Sequence, residues 1–262
     1  MTASNPLDLG RRDFVALLAA MAAASSAHAQ SPAQAVQTYG VFVMVGDGLE
    51  MVVASPPAAS RVDRGGRENQ LIPGSGFDRA AMLAARDALR RAQPIAFQHI
   101  YRASATLDAD QQREVLATAQ RGEWLPWMQT AIERDRVTRM VLVTRERGDA
   151  YLRTKTGDLG TGSVDGVGYY VDRHTPVIAE DGRSLIGFLA PFVYLRVTEF
   201  DIATRRELRS ESIRATATLG ISDRVAGRDP WDAQTNVQKI ETLRAMLREH
   251  VEGAVYRLVA PP

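Results

Sequence analysis

The sequence predicts a mixed α/β fold of the α+β kind: one mainly antiparallel sheet with packed helices and a C-terminal closing helix. Three observations predict it. The stretch Phe188 to Leu219, FLAPFVYLRVTEFDIATRRELRSESIRATATL, reads as strand, turn, strand. Its first half sets Phe192 and Tyr194 against Val193, Leu195 and Val197, apolar on both faces, as a strand covered on both sides requires. Its second half alternates Ile213, Ala215, Ala217 and Leu219 with Arg214, Thr216 and Thr218, one buried face and one wetter face, with Asp201 to Glu207 as the turn. The second observation is a pair of short β-branched runs, Val41 to Val45 and Met140 to Val143, separated by helical patterns. The third is the three-and-four spacing of Val237, Ile240, Leu243, Leu247, Val251, Ala254 and Leu258, which predicts a closing helix from about Asp232 to Leu258.

At 262 residues and 45% hydrophobic content the chain can bury a large core. A net charge of +1, with the arginines interleaved with acids, gives no drive toward nucleic acid. With no cysteine, disulfides, thiolate metal sites, cysteine nucleophiles and a lipid-acylated cysteine are excluded.

The chain opens on Gly10-Arg11-Arg12-Asp13-Phe14, an apolar stretch to Ala24, and Ala27-His28-Ala29-Gln30. A basic pair, a short apolar segment and a small-x-small site are the parts of a secretory signal, so cleavage is expected between Ala29 and Gln30. The apolar segment is too short to span a bilayer, which needs about 20 residues. The expected organisation is a signal peptide over 1–29 and one α/β domain over 30–262, with no membrane span in the mature chain. Arg11, Arg12 and Phe14 resemble a twin-arginine export signal, although Gly10 replaces the usual Ser or Thr and Val15 and Ala16 the usual Leu and Lys. The resemblance covers the first thirty or so residues. It implies a bacterial protein exported already folded, periplasmic or secreted, that meets the export machinery through this segment; a general secretory signal is the other route.

In the mature chain, Tyr39 to Val45 and Leu49 to Ala54 flank Gly46-Asp47-Gly48 and read as a hairpin. The span 56–76, punctuated by proline and glycine, reads as a long loop presenting Arg61, Arg64 and Arg67 every third residue to an acidic partner or to anionic envelope material. Ser75 to Asp78 has the form of a capping box opening a helix to about Ala92. Pro94 ends it and starts a strand in which Ile95, Phe97, His99 and Tyr101 share a face, His99 as a hydrogen-bonded core residue. Asp108 with Gln111 caps the next helix, and Pro126 suits the first turn of another. In coarse order these elements resemble small periplasmic domains of secretion and envelope-assembly machinery, a likeness of architecture with no shared motif.

No arrangement of Ser, His and Asp reaches the strength of a motif. Gly157 to Gly168 is glycine-rich, but the strand-like Tyr169 to Val171 follows where a phosphate loop needs a helix, so a loop or bulged strand connection is expected. Asp172 and His174, two apart, leave the same face of a strand and with Asp165 are the catalytic candidates. A metal site needs about three protein ligands, so no metal or cofactor is expected. Asp47 with Glu50 would be a catalytic carboxylate pair only where the environment separates their pKa values, so Asp47 is read as a turn aspartate, and Trp124, Trp127 and Trp231 form a binding platform only if they cluster. Two readings remain: a non-enzymatic envelope protein that binds an envelope protein or small ligand, and a cofactor-independent or weakly metal-dependent hydrolase using Asp165, Asp172 and His174.

Overall fold

The computed structural model describes residues 36–54, 66–72, 75–103, 107–154, 157–178, 184–217 and 229–261. The predicted export segment and its cleavage site, Arg61, Arg64 and Leu219 lie outside them. The chain divides into the units Met1–Val36 and Gln37–Pro262, and the fold is that of the second.

The predicted class holds: among the described residues a nine-stranded, mainly antiparallel sheet carries four α-helices, the last at the C-terminus. The organising strand is β10 (Ser184–Asp201), which is 18 residues long. One of its edges pairs with β11 (Arg206–Thr216). Its other edge is shared by two strands laid end to end. β5 (Arg139–Arg145) pairs with Leu195 to Asp201, and β9 (Ser163–Ile178) pairs with Ser184 to Tyr194. The pattern repeats one strand further out, where β1 (Thr38–Val43) lies parallel to β5 and β2 (Gly48–Val53) parallel to β9. The outer strands are β4 (Phe97–Arg102) beside β1 and β3 (Arg67–Leu71) beside β2. The sheet is therefore two half-sheets joined end to end on one long strand.

This corrects the expected hairpin. Residues 44–47 do not reverse the chain; β1 and β2 run in the same direction, and Met44 N donates to Val143 O (2.9 Å) where a turn bond would otherwise form. Gly-Asp-Gly supplies backbone freedom, and the local pattern carries no information on whether that freedom makes a reversal or a kink. The long loop is also corrected, since its residues 67–71 are strand β3, antiparallel to β2. The predicted turn at Asp201 to Glu207 is shorter, because Arg206 and Glu207 already pair with Asp201 and Phe200.

α1 (Phe77–Ala92) and α4 (Asn236–Val259) cover one face, where Ala81, Ala84, Ala88, Leu243, Leu247 and Val251 bury against Val41, Val143, Tyr169 and Val193. Alanine at the contact lets a helix lie close to the sheet. Val237, assigned to that seam by its spacing, is 70% exposed, because α4 begins at Asn236 behind a Thr235–Gln238 capping box and its first turn overhangs the core. The other face is divided. α2 (Ala109–Gln120) and α3 (Pro126–Arg134) cover the β1–β5 half through Val115, Met128 and Ile132 on Phe42, Leu142 and Phe200. Over the other half, β6 (Arg147–Asp149), β7 (Leu152–Thr154) and β8 (Gly157–Leu159) form an excursion whose Ala150 and Leu152 pack with Tyr170, Phe188 and Phe192. Gly157 to Gly168 is thus strand and connection, as expected. In β11, Ile213 and Ala215 are buried, whereas Ala217 lies beyond the strand and is exposed.

Candidate functional site

The junction of the half-sheets brings the buried carboxylates Glu50, Asp78 and Asp165 around Arg145. Arg145 ends β5, and its side chain turns into the kink, where Nε donates to Val45 O (2.7 Å) and Nη2 to Gly48 O (3.0 Å). Its backbone N–H donates to the side chain of Gln112, a fully buried residue of α2 (2.9 Å). Opposite, Gly166 has φ +68°, and a Cβ there would come within 2.7 Å of Arg145 Cδ, so glycine is what admits the arginine stem. Asp78, in the first turn of α1, accepts from Gly46 N (2.7 Å) and from Arg102 Nε (3.1 Å). Arg102 Nη2 in turn reaches Asp47 Oδ2 (2.9 Å), and Ser75 Oγ donates to the Asp47 carbonyl (3.1 Å).

Ser75 and Asp78 are therefore not a capping box. The N-cap is Gly76, in a left-handed conformation, and the two polar side chains are engaged in tertiary bonds to the kink. An N-cap signature and a tertiary anchor use the same residue types, so the spacing alone does not separate them.

On the far side of the kink, Glu50 is 3% exposed; its Oε2 accepts from Asp165 N (2.6 Å), and its Oε1 lies 3.4 Å from Arg67 Nη1. Burial pushes the Glu50 and Asp78 carboxyls above the usual range, in spite of the backbone N–H donors and guanidiniums beside them. Burial also lowers Arg145, and the nearby Asp165, Glu50 and Asp78 oppose that. Asp165 Oδ2 meets Arg113 Nη1 (3.3 Å), while its buried Oδ1 has no hydrogen-bond partner among the described residues. These groups fix a joint in the sheet: nearly every polar atom is committed to backbone or to an opposite charge.

Beside the joint a smaller constellation is open to solvent. The Ser163 hydroxyl, at the start of β9, accepts from Arg67 Nη2 (2.6 Å) and from Arg147 Nε (3.1 Å). Arg67 Nη2 also donates to the Ser163 carbonyl. Arg67 has Glu50 as counter-ion, whereas no carboxylate pairs with Arg147 among the described residues. Both arginines are exposed.

The predicted catalytic residues do not come together. Asp165 and Asp172 lie seven residues apart on one extended strand, roughly 20 Å at strand rise. Asp172 is occupied locally: Oδ1 accepts from His174 N (2.7 Å) and Thr175 N (2.8 Å), and Oδ2 from Thr175 Oγ1 (2.7 Å). It is a backbone cap, and the His174 side chain is exposed. Among the described residues no three His, Asp or Glu side chains are grouped to hold a metal ion. The tryptophans do not cluster either. Trp124 meets Phe200 and Trp127 meets Phe42 on one face, while Trp231 stands edge-on to Tyr169 on the other and covers the Lys239 ammonium (3.7 Å). His99 is not a core histidine: it is 40% exposed on the outer strand, its Nδ1 3.9 Å from Asp135 Oδ2, to which Tyr101 donates (2.6 Å). Sequence reasoning missed Arg145, Arg147 and Ser163, because their partners are contributed across 16 to 100 residues of chain. The available signal was the pair Arg145 and Arg147 just past the apolar run Met140 to Val143.

Neither a protein-family model nor a curated protein matches this sequence. Several solved structures are similar over most of their length. The PelC dodecamer from Paraburkholderia phytofirmans aligns at 9% identity over 86% of this chain and 90% of that one, with a TM-score of 0.35. A neuraminyllactose-binding hemagglutinin homologue from Helicobacter pylori aligns at 11% identity over 87% and 89%, with a TM-score of 0.38. Lipoprotein GNA1162 from Neisseria meningitidis aligns at 8% identity over 82% and 99%, with a TM-score of 0.25. Among the described residues no helix is long and apolar enough to cross a membrane.

Proposed function

We propose that this is a non-enzymatic binding or assembly-accessory protein of the bacterial envelope, exported through Arg11, Arg12 and Phe14 and cleaved between Ala29 and Gln30. One observation carries the binding reading. The outermost strand, β4, is entered through Ile95 and Phe97, which are 76% and 65% exposed, and β1 is its one strand neighbour among the described residues. Free sheet edges are normally guarded by charge. The opposite edge follows that rule, with Arg206, Glu207 and Arg209 exposed along β11. The entrance to β4 does not, and an exposed apolar edge of this kind suits an extended apolar segment of a partner protein.

The test is cross-linking in envelope fractions of cells that export the protein. Replacing Ile95 and Phe97 together by aspartate is expected to leave the melting temperature within about 3 °C, since neither residue is in the core, and to abolish the cross-linked species. Unchanged cross-linking removes the edge from this reading; ester hydrolysis by the purified protein that disappears in Asp172→Ala would put the hydrolase in its place. The export route has its own expected result: Arg11→Lys with Arg12→Lys retains the precursor in the cytoplasm. Normal export of that variant assigns the general secretory route instead.

A further inference from the structure

We infer that Arg67, Ser163 and Arg147 form a binding site for an oxyanion, a carboxylate or a phosphoryl group, carried by the envelope partner. The inference deepens the binding reading and rests on it for the source of the anion. Arg67 Nη2 and Arg147 Nε both donate to the one Ser163 hydroxyl oxygen, at 2.6 and 3.1 Å, so two guanidinium nitrogens lie within two hydrogen-bond lengths of each other. Like charges brought that close favour an anion between or above them. Internal neutralisation is incomplete. Glu50 lies on the Nη1 side of Arg67, 3.4 Å away, and leaves Nη2 facing the serine. Arg147 has the neutral hydroxyl alone as side-chain partner among the described residues.

The two arginines reach the site from different strands, Arg67 from the edge strand β3 and Arg147 from β6, whose Asp149 pairs with Ser163. Each is held by the sheet rather than by a mobile stem alone. Among the described residues Arg147 donates through Nε alone, so its two terminal nitrogens are uncommitted, and a planar fork of this kind grips a carboxylate or a phosphoryl group by paired bonds. The Ser163 oxygen accepts from both arginines through its two lone pairs, so its own O–H remains a further donor. Asp149 is the competing acid. It is exposed on β6, two residues from Arg147, and makes no ion pair with either arginine, so it limits the charge an incoming anion meets without filling the site.

The test is a titration of the mature protein with sodium phosphate and, separately, sodium acetate at low ionic strength, following the amide NMR signals of Gly162 and Ser163, with sodium chloride at matched ionic strength as reference. A saturable shift with phosphate, acetate or both is expected, weakened at least tenfold in Arg147→Gln and partly in Ser163→Ala. Saturation with phosphate alone assigns a phosphoryl ligand, and saturation with acetate alone a carboxylate. Neither residue is in the buried core, so a melting temperature close to that of the unmodified protein shows that lost binding is not lost folding. Shifts that merely track ionic strength, as chloride would give, overturn the site, and so does undiminished saturation in Arg147→Gln. The titration involves no protein partner, so its failure leaves the cross-linking result, and the reading that depends on it, standing.

Discussion

Replacing Arg145 by methionine is expected to destabilise the domain by about 3–5 kcal/mol, the range seen when one member of a buried charge network is removed. The melting temperature of a domain this size should fall by roughly 10 °C. Methionine keeps most of the stem's volume, so the loss isolates the guanidinium. That group makes the two bonds that tie the end of β1 and the start of β2 to β5, at Val45 O and Gly48 O. With it gone, two enclosed carbonyls lose a charged donor, and Glu50, Asp78 and Asp165 lose a positive neighbour. The sign of the pH dependence follows. Burial already raises the Glu50 and Asp78 carboxyls, so their ionised forms are disfavoured in the fold, and the stability they contribute is present in acid and lost as pH rises through their raised values. Removing the neighbouring cation raises them further. The deficit of the variant should therefore be smaller near the acid end of its stable range than in mild alkali. Thermal melts of both proteins across that range check it, and a deficit that is constant with pH would show that Arg145 acts through its backbone bonds alone.

Gly168→Ala is expected to have an effect of similar size by a different mechanism. Gly168 lies opposite Glu50 in the parallel pairing of β2 with β9, and a Cβ there would stand 1.9 Å from the Glu50 carbonyl oxygen and 2.8 Å from Phe192 Cζ. The obstructing atoms are backbone and a packed ring, so neither can step aside. The strands must separate, and the bond from Asp165 N to Glu50 Oε2 depends on their register. Overpacking in a core costs about 1–3 kcal/mol, and a clash with backbone lies at or beyond the top of that range. Denaturant unfolding of the variant measures the loss, and hydrogen exchange should locate it in β2 and β3 before β1 and β5. A melting temperature equal to that of the unmodified protein would mean that β2 and β9 can move apart by the width of a methyl group at no cost.

Local patterns were legible wherever the chain itself determines the outcome. The box of Asp108 with Gln111 caps α2, and Pro126 opens α3, because both act within one turn of helix. The buried runs became β1 and β5, and the hairpin of β10 with β11 formed, because sequence-adjacent strands joined by a short turn meet at little entropic cost. Apolar periodicity located α4, missing its overhanging first turn at Val237. Of the candidate site, the sequence marked Arg67 and the carboxylates Asp47, Glu50 and Asp165, but as members of a loop, a turn and a catalytic set rather than as parts of one joint.

By itself, then, the sequence determined the class of fold, the helices and most strands, since alternation, helical spacing and caps are properties of neighbouring residues. Tertiary structure alone decided that β1 and β2 run end to end instead of folding back, that residues 67–71 join the sheet, and that Ser75 and Asp78 hold a kink instead of a helix end. The physical reason is the same in each case. A glycine kink, an edge strand and a polar side chain each have several local minima of nearly equal energy, and the choice falls to partners far along the chain. Arg145 closes the kink across about a hundred residues, and Ser163 gathers Arg67 and Arg147 from strands that no local pattern pairs.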